Sequence, residues 1–338
     1  MTTIAHRHNP AQKDPYTRYR RTLLSNEEVR EYSQLRPGIM VRDVFLLWLF
    51  IFAAWTACAI WTEWWVVLLA IPVIGTRIYS LHVIAHDGLH RRLFDATSKN
   101  DLFCDLFILG SEGAVTHLAN QNHMLHHRLL ANDSDPDRHK YTSSNKTTRV
   151  QLLLMIVGLS GLVPLWRNVF KREKVKAPSL KKQKHTARDL VILVGWQGSL
   201  IVGLSLAIGW WAYPVLWALP VYAFAYCGDQ VRFFLEHAHP EHDDTADEKR
   251  LITYTGNWFE RTLFAPLNMN FHAVHHLWPS IPYYNLKKVD TLIRGRDGTD
   301  GMIWRSSYFG MLFTYFRALP LPDCARDLQP EDQVEATA

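Results

Sequence analysis

The chain has 338 residues, 48 % of them hydrophobic, and a formal net charge of only +5, which excludes a disordered, charge-dominated polymer. Its four cysteines (Cys58, Cys104, Cys227 and Cys324) are scattered without CxxC spacing, so a disulfide framework is not expected. The 13 Trp and 17 His exceed what ordinary packing calls for, and most of the histidines sit in tight groups.

Residues 1–42 form a polar, Arg-rich arm. It lacks an apolar core followed by a small-residue cleavage site, so no secretory signal peptide is expected. From Val44 to Trp61 the chain is apolar, with no charge after Asp43. About 20 such residues cross the hydrocarbon core of a bilayer. A second run, 64–81, follows after Thr62 and Glu63 and contains Pro72 and Arg77. The short connection predicts an antiparallel hairpin. Residues 189–210 and 212–227 make a second such pair, the latter with Pro214 and Pro220. Three shorter amphiphilic stretches, 101–116, 150–166 and 302–319, suit helices lying at the membrane interface. The end of the chain from Pro330 is acidic and expected to be loose. The organisation predicted is a cytosolic arm (1–42), a membrane catalytic domain (43–300), and an interfacial helix with a tail (301–338).

Charge predicts orientation. Glu63 is the charge in the first hairpin turn, and the turn at 210–213 has none. The arm carries Arg18, Arg20, Arg21, Arg30, Arg36 and Arg42. Residues 167–188 carry Arg167, Lys171, Arg172, Lys174, Lys176, Lys181, Lys182, Lys184 and Arg188. The positive-inside rule puts the arm, this segment and the C-terminus in the cytoplasm. Trp61, Trp64, Trp65, Trp210, Trp211 and Tyr213 then fall at the opposite interface, as an aromatic belt does.

All the histidine groups fall on the cytoplasmic side. His86 and His90 are spaced i, i+4 at the end of the second span. His123, His126 and His127 repeat i, i+3, i+4, and His272, His275 and His276 do so again. These spacings place imidazoles on one helical face. Imidazole suits iron, zinc, copper and nickel. These eight histidines are more than one tetrahedral site needs, and they suggest two metal ions. Glu236-His237-Ala238-His239 follows the fourth span. His82 lies one turn before His86 and is expected to pack or to support a ligand; Asp87 could fix a ligand tautomer. Asp133, Asp135 and Asp137 either orient ligands or hold a turn at Pro136, the turn being the simpler role. His117 and His139 read as surface or supporting residues, and His6, His8, His185 and His242 as solvated.

The three boxes, their order and separations, Asn270-Phe271 before the third and His276-Leu277-Trp278-Pro279 after it resemble the integral-membrane fatty acid desaturase superfamily over residues 43–300. That resemblance implies an all-α membrane protein. Four transmembrane helices in two hairpins would carry interfacial helices and a cytosolic helical cap around a di-metal site. It implies two irons (Fe2+/Fe3+) held by His86, His90, His123, His126, His127, His272, His275 and His276. His237 stands where the family has a further ligand, with His239 as a near rival. Asp87, His82, Glu236 and Asn270 are the candidates to support the ligands. The HxxxH first box is shorter than that of some animal acyl-CoA enzymes and argues against that subclass.

The resemblance further implies oxygen-dependent desaturation of a fatty acyl lipid, with O2 as co-substrate. The chain contains no heme, iron–sulfur or nucleotide-binding motif, so electrons are expected from a separate ferredoxin, rubredoxin or cytochrome. A bacterial inner membrane is the expected location. Hydroxylation or ketolation of a carotenoid or other lipid, desaturation of a small specialised metabolite, and zinc-dependent membrane hydrolysis remain alternatives. Nucleic-acid binding has no motif to support it. Oligomeric state is not legible.

Overall fold

The computed structural model describes residues 16–130, 135–137, 140–141, 148–159, 184–238 and 251–319. The first part of the arm, most of the basic segment, the end of the 150–166 stretch, the acidic tail, Asp133, His139, His239 and His242 lie outside these residues. Described elements run in chain order α1 (Thr17–Thr22), α2 (Asn26–Tyr32), α3 (Pro37–Ile60), α4 (Trp64–Leu89), α5 (Thr97–Cys104), α6 (Gly110–Glu112), α7 (Thr116–Leu129), α8 (Arg149–Ile156), α9 (Ala187–Ala207), α10 (Cys227–His237), β1 (Ile252–Tyr254), α11 (Trp258–Phe264), α12 (His272–Leu277), α13 (Tyr283–Arg294), β2 (Ile303–Arg305) and α14 (Tyr308–Ala318).

The protein is helical, and among the described residues three helices are long and apolar enough to cross a membrane: α3, α4 and α9. Pro37 starts α3 seven residues before the apolar run at Val44, because its fixed φ and missing N–H suit the first helical turn. The 26 residues of α4 reach about 39 Å at 1.5 Å each, longer than a roughly 30 Å hydrocarbon core. The excess lifts His86 and His90 beyond the span on a rigid element. Three residues, Trp61 to Glu63, separate α3 from α4, giving the predicted hairpin.

The fourth predicted span is helical but irregular. Residues 212–237 contain two π segments, Pro214–Ala218 and Val221–Tyr226, before α10. A proline inside a helix loses a hydrogen bond and clashes with the preceding turn; a π turn relieves both. The stretch at 101–116 is not a single interfacial helix. Residues 97–112 pass through a π segment at Asp105–Leu109 and then turn by 88° into α7. Gly113 makes the corner at φ +83°. By length and composition this bent pair could be a fourth, broken span.

Those π turns free backbone carbonyls in an apolar setting, where each must find a donor. The tryptophans supply them. Trp48 Nε1 donates to Phe107 O (2.8 Å) and Trp196 Nε1 to Leu106 O (2.8 Å). Trp55 Nε1 donates to Leu216 O, and, just past the Asp105–Leu109 π segment, Trp217 Nε1 donates to Ser111 O of α6, each at 3.2 Å. The same rings stack, Trp48 on Trp196 at 5.4 Å and on Trp217 at 5.9 Å, locking α3, α9 and the 214–218 segment together.

The cap departs from the all-helical expectation in one place. Residues 303–305 form β2, which pairs in parallel with β1 in the register Ile252↔Ile303 and Tyr254↔Arg305, so the helix predicted at 302–319 begins only at Tyr308. β1 is buried along its whole length, and half-buried β2 pairs with its edge. Tyr308 and Tyr315 of α14 are fully buried against α10. The arm also packs: Tyr19 and Leu23 are fully buried, and Arg20 donates from Nε to Leu277 O (2.7 Å) and from Nη2 to His276 O (3.2 Å). The N-terminal helices therefore rest on the third histidine box.

Candidate metal centre

Four elements deliver nine imidazoles to one place: the end of α4, α7, the end of α10 and α12. His86, His90, His123, His127 and His275 form one group, with a ligand atom of each within 4.8 Å of the others. His126, His237 and His276 form a second. His272 joins the second, its Nε2 lying 3.0 Å from His237 Nε2 and 2.9 Å from His276 Nε2. The two groups adjoin, because the rings of His127 and His276 stack at 4.3 Å.

Each HxxHH box is split between the groups. His123 and His127 face the first and His126 the second. His275 faces the first, and His272 and His276 the second. A helix turns 100° per residue, so positions i and i+4 stay near each other while i+3 falls to the other side of them. One short helix thus serves two centres.

The distances fit a cation better than a hydrogen-bonded cluster. Nε2 atoms lie 2.8 Å apart for His90 and His123, 3.1 Å for His123 and His127, and 3.0 Å for His127 and His275. A neutral imidazole nitrogen either donates or accepts, so His123 and His127 cannot serve two partners each through a single Nε2. With metal–nitrogen bonds of about 2.1 Å, ligands at right angles have nitrogens about 3.0 Å apart. Both ring nitrogens of His86 and Nε2 of His126 are buried and have no hydrogen-bond partner among the described residues. Buried polar atoms are normally satisfied, so these orphans point to a bound ion. Burial, reinforced by neighbouring histidines, holds His272, His275 and His276 well below the usual imidazole range, which keeps them neutral as metal ligands must be.

The supporting residues are distributed differently from the sequence expectation. Asp135 is 4 % exposed and does both jobs considered for it. Its Oδ1 accepts from Asp137 N, which holds the turn. Its Oδ2 takes His126 Nδ1 at 2.9 Å and the Tyr141 hydroxyl. Glu236 Oε1 accepts from Tyr308 Oη (2.9 Å), and Oε2 lies 3.5 Å from His272 Nδ1, so this carboxylate does face a box histidine. Asp87 does not: its Oδ2 accepts from Tyr283 N (2.8 Å) and fixes the start of α13. Asn270 bonds backbone rather than a histidine, donating from Nδ2 to Tyr254 O (2.7 Å). His82 Nδ1 pairs with Glu112 Oε2 at 2.7 Å and stays outside both groups. His117 pairs with Asp189 at 3.5 Å. Tyr141 and Arg20 were missed from sequence. Tyr141 lies close to Asp135 in the chain, but Arg20 reaches across 256 positions and leaves no local signal.

Comparison with known proteins agrees with this geometry. Dihydrorhizobitoxine desaturase of Bradyrhizobium elkanii is 27 % identical over 309 residues, covering 82 % of each chain. The sn-1 oleoyl-lipid 12-desaturase of Arthrospira platensis is 23 % identical over 280 residues, covering 75 % of this chain and 78 % of its own. A ceramide hydroxylase of Caulobacter vibrioides is 28 % identical over 123 residues, 34 % of each chain. The fatty acid desaturase family profile matches residues 62–308, from the turn before α4 to the start of α14. With three boxes converging at the end of its apolar helices, the chain belongs to the fatty acid desaturase family.

Proposed function

We propose that this protein is an oxygen-dependent di-iron desaturase that introduces a double bond into a fatty acyl lipid. The observation that carries the reading is the pair of adjoining all-imidazole groups at the end of apolar helices. One iron would be held by His86, His90, His123, His127 and His275, the other by His126, His237, His272 and His276. When bound, the iron pair supplies the redox capacity to activate O2 and oxidise an unactivated C–H bond, which side chains alone cannot do.

The chain's own residues do the positioning. Neutral imidazoles would hold the irons without adding negative charge to the site. Asp135 orients His126 through a hydrogen bond at Nδ1, and the Glu236 carboxylate stands 3.5 Å from His272 Nδ1 as an electrostatic neighbour. Arg20 anchors the carbonyls at the end of α12, so the arm braces the third box. Electrons come from a separate ferredoxin, rubredoxin or cytochrome. The apolar substrate enters from the bilayer; the protein sits in the inner membrane with its site and termini on the cytoplasmic side, a reading that the Arg- and Lys-rich segments support.

The test is mass spectrometry of lipids from cells expressing the wild type or His126→Ala. Acyl species lighter by two hydrogens, absent with the variant, support the reading. Species heavier by one oxygen favour hydroxylation, the activity named in the Caulobacter relative. An unchanged lipid profile from folded, iron-loaded protein overturns the acyl-lipid substrate and favours a specialised metabolite, as the name of the Bradyrhizobium relative suggests.

A further inference from the structure

A fully buried tyrosine stands against the second histidine group. The Tyr141 hydroxyl donates to Asp135 Oδ2, the same oxygen that takes His126 Nδ1 at 2.9 Å. Two hydrogen bonds therefore link this phenol to an imidazole of the group. The Tyr141 ring also packs on the group directly, its centre 5.5 Å from that of His237 and 6.4 Å from that of His126. Phe233 completes the contact, 4.8 Å from His126, 4.7 Å from His237 and 5.8 Å from Tyr141. Among the described residues, Tyr141 and Phe233 are the rings other than histidine that touch this group. The ring contacts of His86, His90, His123, His127 and His275 are all to other histidines.

The two rings differ in chemistry. The benzene ring of Phe233 has no proton that can leave together with an electron. A phenol has one, and it gives up an electron readily when that proton can pass to a base within a hydrogen bond. An ionised carboxylate is such a base, because it only accepts. Asp135 supplies it at the Tyr141 hydroxyl. Holding Asp135 in place would need the hydroxyl alone, whereas the ring contact with His237 adds a direct path for an electron. Burial keeps water and small reductants away from the ring.

A centre able to oxidise an unactivated C–H bond can also oxidise a phenol, whose O–H bond is weaker. When no substrate is in reach, that oxidising power falls on the nearest side chain, and excluding such side reactions is part of what the protein around a redox centre does.

We propose that Tyr141 is a redox-active residue that gives one electron to the O2-oxidised iron pair in the absence of substrate and so protects the ligands. The O–H bond of Tyr141 breaks. Its electron goes to the irons, which are reduced by one electron, and its proton goes to Asp135 Oδ2. The products are a neutral tyrosyl radical and a protonated Asp135. One electron from the external donor and the proton returned by Asp135 restore the phenol. This deepens the proposed desaturation and rests on it, because O2 activation at the irons supplies the oxidant.

The test is electron paramagnetic resonance of the iron-loaded full chain, held in a detergent without fatty acyl groups. The protein is reduced without air, freed of excess reductant, mixed with O2 and frozen. The wild type should show an organic-radical signal that narrows when the protein is made with ring-deuterated tyrosine. Tyr141→Phe, with its iron content measured, should lose that signal. The variant should also gain more oxygen on the peptides carrying His126 and Phe233, read by mass spectrometry. O2 uptake by the wild type with no tyrosyl signal overturns the proposal and leaves desaturation standing, and this result needs no variant. A signal of equal size in Tyr141→Phe overturns it too, since the radical then lies elsewhere. Iron-loaded, reduced protein that takes up no O2 overturns the di-iron reading itself, and the role of Tyr141 with it.

Discussion

Asp135→Asn isolates one half of the metal centre. Asp135 uses both oxygens as acceptors, from Asp137 N on one side and from His126 Nδ1 and the Tyr141 hydroxyl on the other. An asparagine presents an NH2 to one of those sets, so donor faces donor and at least one bond is lost. His126 is 1 % exposed, so no water replaces the missing partner. Loss of such an orienting group weakens metal binding by roughly 10–100-fold, or about 1.4–2.7 kcal/mol. The loss should be confined to the group of His126, His237, His272 and His276, because Asp135 touches no histidine of the other. The assay is metal content per chain by mass spectrometry after graded exposure to a chelator. One of two ions should leave at a 10–100-fold lower chelator concentration than in the wild type, with the other retained. Asp87→Asn serves as the control, since Asp87 bonds Tyr283 N and no box histidine. Departure of both ions together at the lowered concentration would refute the partition into two groups, and unchanged departure would refute the orienting role of Asp135.

Arg20→Ala removes two charge-assisted bonds to the end of α12 and should cost about 2 kcal/mol, read as a thermal midpoint lower by a few degrees together with easier metal loss. An unchanged midpoint would show that the arm does not brace the box. Gly110→Ala puts a Cβ 2.4 Å from the Asp105 carbonyl oxygen, a backbone atom that cannot move aside, and should destabilise the fold by about 1–3 kcal/mol in a denaturation series; tolerance would refute the close approach at the π turn. Glu28 is held down at about 2, from an ordinary value of 4.5, chiefly by hydrogen bonding to Arg296. Its pKa is lower in the folded protein, so its contribution is complete above pH 4.5 and is lost as the pH falls toward 2. Protection of α2 amides from hydrogen exchange should weaken across that window in the wild type and show no such step in Glu28→Gln.

Much of this protein is determined locally. The stretch without charge from Val44 to Trp61 is long and apolar enough to cross a membrane, and that reading needs no tertiary contact. The spacing of His86 and His90, and of the two HxxHH boxes, follows from helical geometry, so the ligand-bearing faces were legible residue by residue. The partition of each box between two centres was not. Helix geometry sets i+3 apart from i and i+4, but only the directions from which α4, α7, α10 and α12 converge decide that two centres exist and which imidazoles each one takes. Likewise Asp87, adjacent to a box histidine in sequence, turns to Tyr283, 196 positions away, while Asp135 reaches His126. Prolines 214 and 220 are visible in the sequence, but that tryptophans from other helices donate to π-segment carbonyls at Leu106, Phe107 and Leu216 is not. The sequence by itself determined which residues can bind metal and where the membrane lies. The tertiary structure alone decided which residues share a centre, because that depends on contacts between elements far apart in the chain.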